Sequence, residues 1–81
     1  MRNLYEQSMI AALKNLYYWM EKVNKALADG DTCFLESNFA LQYAHKIDFY
    51  KELYKEEYEK SNWLELVREA RKQANKELEN E

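Results

Sequence analysis

The strongest constraint on the fold is a stripe of apolar residues in the first third of the chain. Its members are spaced alternately four and three residues apart: Met9, Leu13, Leu16, Met20, Val23 and Leu27. This spacing places them along one side of an α-helix that packs lengthwise against another helix. The sequence therefore predicts that the rest of the chain covers this stripe, which we call the N-terminal seam.

Residues that interrupt helices are almost absent. The 81 residues include no proline and one glycine, Gly30, so long helices are expected. This length allows a single domain, residues 1–81. The predicted fold is all-α: a long antiparallel helical hairpin followed by a third helix, together a three-helix bundle.

Helix one is expected from about Asn3 to Ala28. Asn3 and Glu6 have the spacing of a capping box, in which side chain and backbone hydrogen-bond reciprocally. The arc of apolar residues around the seam is wide, so this helix should contact more than one neighbour. Tyr18 lies on the side of the helix opposite the seam.

Helix two is expected from about Cys33 to Lys60, after a turn in which Gly30 takes the left-handed conformation that ends helix one. Asp31 or Thr32 is expected to cap its start. The first of its two apolar faces should pair with helix one. That face contains Phe39, Ala40, Tyr43, Ile47, Tyr50, Tyr54 and Tyr58.

The second apolar face of helix two contains Phe34, Leu41, His45 and Phe49, with Leu53 lying between the two faces. A helix that is apolar on two sides needs two neighbours. Since helix three is too short to reach Phe34, part of this face is predicted to remain exposed. Exposed apolar patches mark interfaces, so this part is a candidate binding surface.

Helix three is expected from Trp63 to about Leu78, with Asn62 and Glu65 forming a second capping box; a single helix continuing to the C-terminus is the alternative. As a separate helix about 27 Å long, helix three should fold back on helix two and cover Leu53, Phe49 and His45. Its apolar stripe is Trp63, Leu66, Val67, Ala70, Ala74 and Leu78.

Residues suited to catalysis or metal binding are isolated. His45 is the only histidine, and only Asp48 and Glu52 share its side of the helix. Cys33 is the only cysteine, and no base can be assigned to it. We expect no catalytic activity, no cofactor and no metal. His45 is interpreted as a packing or interface residue and Cys33 as a small hinge or core residue.

One basic cluster occurs in helix three and consists of Arg68, Arg71, Lys72 and Lys76. It could contact phosphates, which makes a nucleic-acid-binding transcriptional regulator the alternative function. However, Glu65, Glu69 and Glu77 are interleaved with it and the net charge is −3. A solvated helix face is therefore the favoured interpretation.

The favoured function is a non-catalytic protein–protein interaction module that regulates or inhibits a partner protein. A small core and an uncovered apolar face also predict a homodimer. The partner-binding residues are expected to be Phe34, Leu41, His45, Phe49 and Tyr18. The single cysteine and the lack of a signal peptide or apolar membrane span predict a cytoplasmic protein. The Lys, Asn and Tyr usage fits an AT-rich genome, such as that of a phage or mobile element.

Overall fold

The computed structural model describes residues 1–81 and contains four helices and no strand. The helices are α1 (Leu4–Ala28), α2 (Phe34–Leu53), α3 (Lys55–Lys60) and α4 (Trp63–Glu79). The prediction of an all-α fold is therefore confirmed. None of these helices has both the length and the apolar content needed to cross a membrane.

The start of α1 is fixed by the predicted capping box. The Asn3 side chain accepts a hydrogen bond from the Glu6 N–H (2.8 Å), and the Asn3 N–H donates to the Glu6 carboxylate (3.2 Å). Two of the N–H groups left unpaired at a helix start are thereby satisfied. Arg2 adds an ion pair to Glu6 at 3.3 Å.

The end of α1 also follows the prediction. Gly30 has φ +77°, and its N–H donates to the Leu27 carbonyl while that of Asp31 reaches back one residue further, to the Ala26 carbonyl. These two bonds form a Schellman motif. The prediction that Asp31 or Thr32 caps the next helix is wrong: the cap of α2 is Cys33, whose side chain makes no capping bond. The Asp31 backbone is instead used to close α1.

Helix α2 runs antiparallel to α1 and packs against it through the predicted first face. Phe39 stacks on Trp19 with ring centroids 4.6 Å apart, and Tyr54 packs on Tyr5 at 5.7 Å. Ile47, between them, is buried. The other members of this face are half-buried, as expected for tyrosines whose hydroxyls remain in water.

The predicted continuity of helix two to Lys60 is wrong, because the helix is interrupted at Tyr54. Tyr54 has φ −111° and ψ 44°, outside the α-helical range, so a bend in the backbone at this residue separates α2 from the six residues of α3. The bend is supported by packing on both sides. Tyr54 contacts Tyr5 and Tyr50, while Tyr58 reaches Trp63 edge-on at 5.4 Å.

The predicted break before helix three is confirmed, and the alternative of one continuous helix is wrong. Ser61 and Asn62 separate α3 from α4. The Asn62 side chain accepts a hydrogen bond from the Glu65 N–H at 3.3 Å, but only this half of the predicted capping box forms. Ser61 also bonds the Tyr5 hydroxyl at 3.1 Å, which ties the turn to α1.

Helix α4 packs against α1 and runs parallel to it; the prediction that it covers α2 is wrong. Ion pairs hold α4 near both of its ends: Glu65 pairs with Arg2, just before α1 (3.5 Å), and Glu77 pairs with Lys14, in the middle of α1 (2.8 Å). The stripe of α4 thins to alanine, and small residues allow its backbone to approach α1 closely. The wide apolar arc of α1 thus receives α2 on one flank and α4 on the other.

The core lies around the first half of α1, between this helix and the two long helices that pack against it. It consists of Tyr5, Met9, Ile10, Ala12, Leu13, Ile47, Leu66, Ala70 and Ala74. The N-terminal seam is only partly covered, because Met20 and Leu27 near the end of α1 are 46% and 59% exposed. They lie between α2 and α4, which flank α1 and barely touch each other.

Candidate functional site

The most prominent surface feature is an uncovered apolar strip on α2. Phe34 is 80% exposed, Leu41 55%, Phe49 60% and Leu53 58%. His45 is also exposed and lies between Leu41 and Phe49. We call these five residues the outer α2 face.

Helix geometry explains why these side chains share one side. They follow one another at intervals of seven, four, four and four residues, and each of these intervals is close to a whole number of helical turns of 3.6 residues. The face that packs on α1 lies on the opposite side, where Ile47 is buried. Since α4 packs on α1, no element of the chain covers the outer α2 face.

Four of the five predicted partner-binding residues are therefore brought together, and the strip is longer than predicted. Phe49 and Leu53 were expected to lie beneath the third helix but are open to solvent. Leu53 was not predicted as a site residue. Its four-residue spacing from Phe49 is the signal that could have identified it.

The fifth predicted residue, Tyr18, lies apart from the others on α1. Its ring packs edge-on against Trp19 at 5.1 Å, and its hydroxyl donates to the Glu81 carboxylate. This hydrogen bond raises the Tyr18 pKa above its ordinary value. Lys22 pairs with the same carboxylate, and the bonds from Lys22 and Tyr18 lower the Glu81 pKa. Tyr18 thus links α1 to the end of the chain.

The residues weighed for chemistry do not come together. No group of three or more His, Cys, Asp or Glu side chains is arranged to hold a metal ion. Cys33 contacts the Ser37 hydroxyl at 3.4 Å, and a hydroxyl does not activate a thiol as a base would. The hollow between the ends of α1 and α4, beside Tyr17 and Met20, is lined by no histidine or cysteine.

The basic residues of α4 are mostly free of ion pairs, whereas two of the acidic residues around them are paired. The Arg71 guanidinium lies over the Tyr17 ring, 4.7 Å from its centroid. Glu65 pairs with Arg2, just before α1, and Glu77 pairs with Lys14 of α1. The remaining basic residues, Arg68, Lys72 and Lys76, are exposed and form no ion pair.

Comparison with protein-family models, with curated proteins and with solved structures found no match to this chain. The function must therefore be argued from the surface and packing described above.

Proposed function

We propose that this protein is a non-catalytic protein–protein interaction module, which binds through its outer α2 face and thereby regulates or inhibits the chain it binds. The observation that carries the proposal is the row of exposed side chains Phe34, Leu41, Phe49 and Leu53 on one side of one helix. Monomeric soluble proteins rarely expose contiguous apolar patches larger than a few hundred Å², and such patches mark interaction sites.

The free energy available at this face is substantial. Complete burial of a Leu or Phe side chain contributes about 1.5–3 kcal/mol. Four such side chains, each more than half exposed, therefore offer a partner roughly 5 kcal/mol of transfer free energy. Aromatic anchors within apolar patches supply much of the energy of protein interfaces, and Phe34 and Phe49 are such anchors.

A second candidate function is nucleic-acid binding by α4. It is favoured by one observation: Glu65 and Glu77 are paired with Arg2 and Lys14, so Arg68, Lys72 and Lys76 present unpaired positive charge to solvent. Phosphate contacts use such residues. The net charge of −3 and the nearby Glu69 weaken the field that would attract a polyanion.

The proposal is tested by replacing Phe49 with the photo-reactive analogue benzoylphenylalanine in the cells that express the protein. Illumination should yield adducts with protein, because Phe49 lies within the proposed interface. The same replacement at Leu64 is the control, since Leu64 on α4 is exposed to a similar extent, 57%, but lies outside the face.

A further substitution shows whether the adducts depend on the face. Leu41→Asp should abolish them while the far-ultraviolet circular dichroism remains helical, because a carboxylate cannot be buried in an apolar contact without a large desolvation cost. Leu64→Asp should leave them unchanged. Absence of adducts from Phe49, or equal yields from Phe49 and Leu64, would contradict the proposal.

A further inference from the structure

The accessible surface of the chain is large for its mass. It measures 5889 Å² for 9.9 kDa, whereas a folded monomer of this mass has about 5,200 Å². The excess is about 700 Å², close to the roughly 800 Å² that each partner buries in a standard protein interface. The free chain therefore exposes about the additional area that one protein contact removes.

The central part of the outer α2 face, from Leu41 to Phe49, is complementary to its own reverse, whereas Phe34 and Leu53 have no apolar counterpart in that order. Counting outward from His45, Leu41 and Phe49 lie four residues away in the two directions. Two helices placed antiparallel, with their His45 residues at the same level, therefore bring Leu41 of each against Phe49 of the other. Antiparallel helix pairs are built from such matched layers.

The polar residues beside the face match in the same register. Gln42 and Asp48 lie three residues on either side of His45, and Asn38 and Glu52 lie seven. Each pair sets a side-chain amide, which donates hydrogen bonds, opposite a carboxylate, which accepts them. None of these pairs sets like charges directly opposite each other.

From this area and this register we propose that the occupant of the outer α2 face is a second copy of the chain, bound antiparallel across a two-fold axis at His45. The inference rests on the proposed function, because it names the partner of that same face. The contact is isologous, so the same residues serve both copies and the assembly closes as a dimer. Leu41 and Phe49 form its apolar layers, and Phe34 lies toward its rim.

The first test is the mass in solution, measured by sedimentation equilibrium from high to low micromolar concentration. The wild type should be a dimer that dissociates on dilution. Leu41→Asp should raise the dissociation constant at least about 100-fold, because each dimer then buries two carboxylates. Leu64→Asp should leave it within about two-fold, since this surface leucine lies outside the contact.

Disulfide trapping tests the orientation. In a Cys33→Ser background, His45→Cys places two thiols next to each other at the axis and should give a rapid covalent dimer on oxidation. Asn38→Cys should not, because the two residues at position 38 lie about 21 Å apart along the antiparallel pair. Both would be adjacent in a parallel pair.

The outcomes separate the inference from the proposed function. If the wild type is monomeric and the Phe49 adducts contain a different protein, a second copy is not the occupant, but the outer α2 face is still an interaction site. A dimer whose dissociation constant is unchanged by Leu41→Asp would show that the contact is not made by the outer α2 face. A dimer that is sensitive to Leu41→Asp but cross-links at position 38 overturns the antiparallel register. Dimerisation with trapping at position 45 alone supports the inference.

Discussion

Leu66 is the residue through which the packing of α4 on α1 is best tested. Its side chain is 1% exposed, whereas Leu64, two residues earlier on the same helix, is 57% exposed. The two leucines therefore have the same chemistry and helical setting but opposite environments. Replacing each by alanine separates the contribution of packing from that of helix propensity, since alanine is the better helix former at both positions.

The magnitude follows from the burial. Leu66→Ala removes about three methylene equivalents at roughly 0.8 kcal/mol each and leaves a cavity, which together cost about 3 kcal/mol. A domain of 81 residues has a free energy of unfolding of roughly 4–12 kcal/mol. The substitution should therefore lower the Tm by about 12–24 °C. Leu64→Ala should change the stability by no more than about 0.5 kcal/mol.

Urea unfolding followed by circular dichroism at 222 nm measures both free energies. It should be run at a concentration where Leu41→Asp and the wild type unfold alike, so that self-association does not contribute. If Leu64→Ala is as destabilising as Leu66→Ala, or if both are neutral, α4 does not pack on α1 through the side described here.

Two further predictions concern the surface of α1 and α4. Glu81→Gln should return the Tyr18 pKa toward its ordinary value of 10.0, measured from tyrosinate absorbance near 295 nm, because the Glu81 hydrogen bond is the largest cause of its rise. The lowered Glu81 pKa supports folding above the ordinary carboxyl range and is lost as pH falls, while the raised Tyr18 pKa supports folding below pH 10.0 and is lost as pH rises. The stability difference between wild type and Glu81→Gln should therefore be largest at intermediate pH, and a difference that grows toward either extreme would contradict this assignment. If α4 binds nucleic acid, affinity for a duplex should fall steeply with added salt, and Arg68→Glu with Arg71→Glu should eliminate it; unchanged mobility of DNA and RNA at low salt would dismiss that function.

Local sequence signals were sufficient to predict helix ends, where the backbone requires a particular residue type at a particular position. Asn3 with Glu6 located the start of α1, and Gly30 located its end, because capping and a positive φ place strict demands on a few neighbouring atoms. Periodicity likewise identified the face of α2 that contains Ile47. These features depend on spacing within one helix, which the sequence displays directly.

Which helix packs against which could not be predicted in the same way. The apolar stripe of α4 could pack on either α1 or α2, since periodicity shows that a side is buried but not against what. Ion pairs such as Lys14–Glu77 favour α1, and they join residues 63 positions apart. The bend at Tyr54 is similar, because it depends on the packing of its ring against Tyr5, almost fifty residues earlier.

For the candidate site, the sequence predicted the outer α2 face but underestimated its extent. Phe34, Leu41, His45 and Phe49 were grouped by helical spacing, and the structure places them on one exposed side. The exposure of Phe49 and Leu53 depends on where α4 packs, so the error in the neighbour of α4 carried over to the site.

The position of α1 between two helices that barely touch has a consequence for how the chain opens. The hairpin of α1 and α2 is closed by a short turn, whereas α4 joins α1 through contacts far apart in sequence, such as that of Lys14 with Glu77. We therefore expect local opening of α4 to require less free energy than global unfolding, as for the less stable parts of other proteins. Because α4 contributes Leu66, Ala70 and Ala74 to the core, we expect the free energy of this local opening to set how often the core is exposed to solvent.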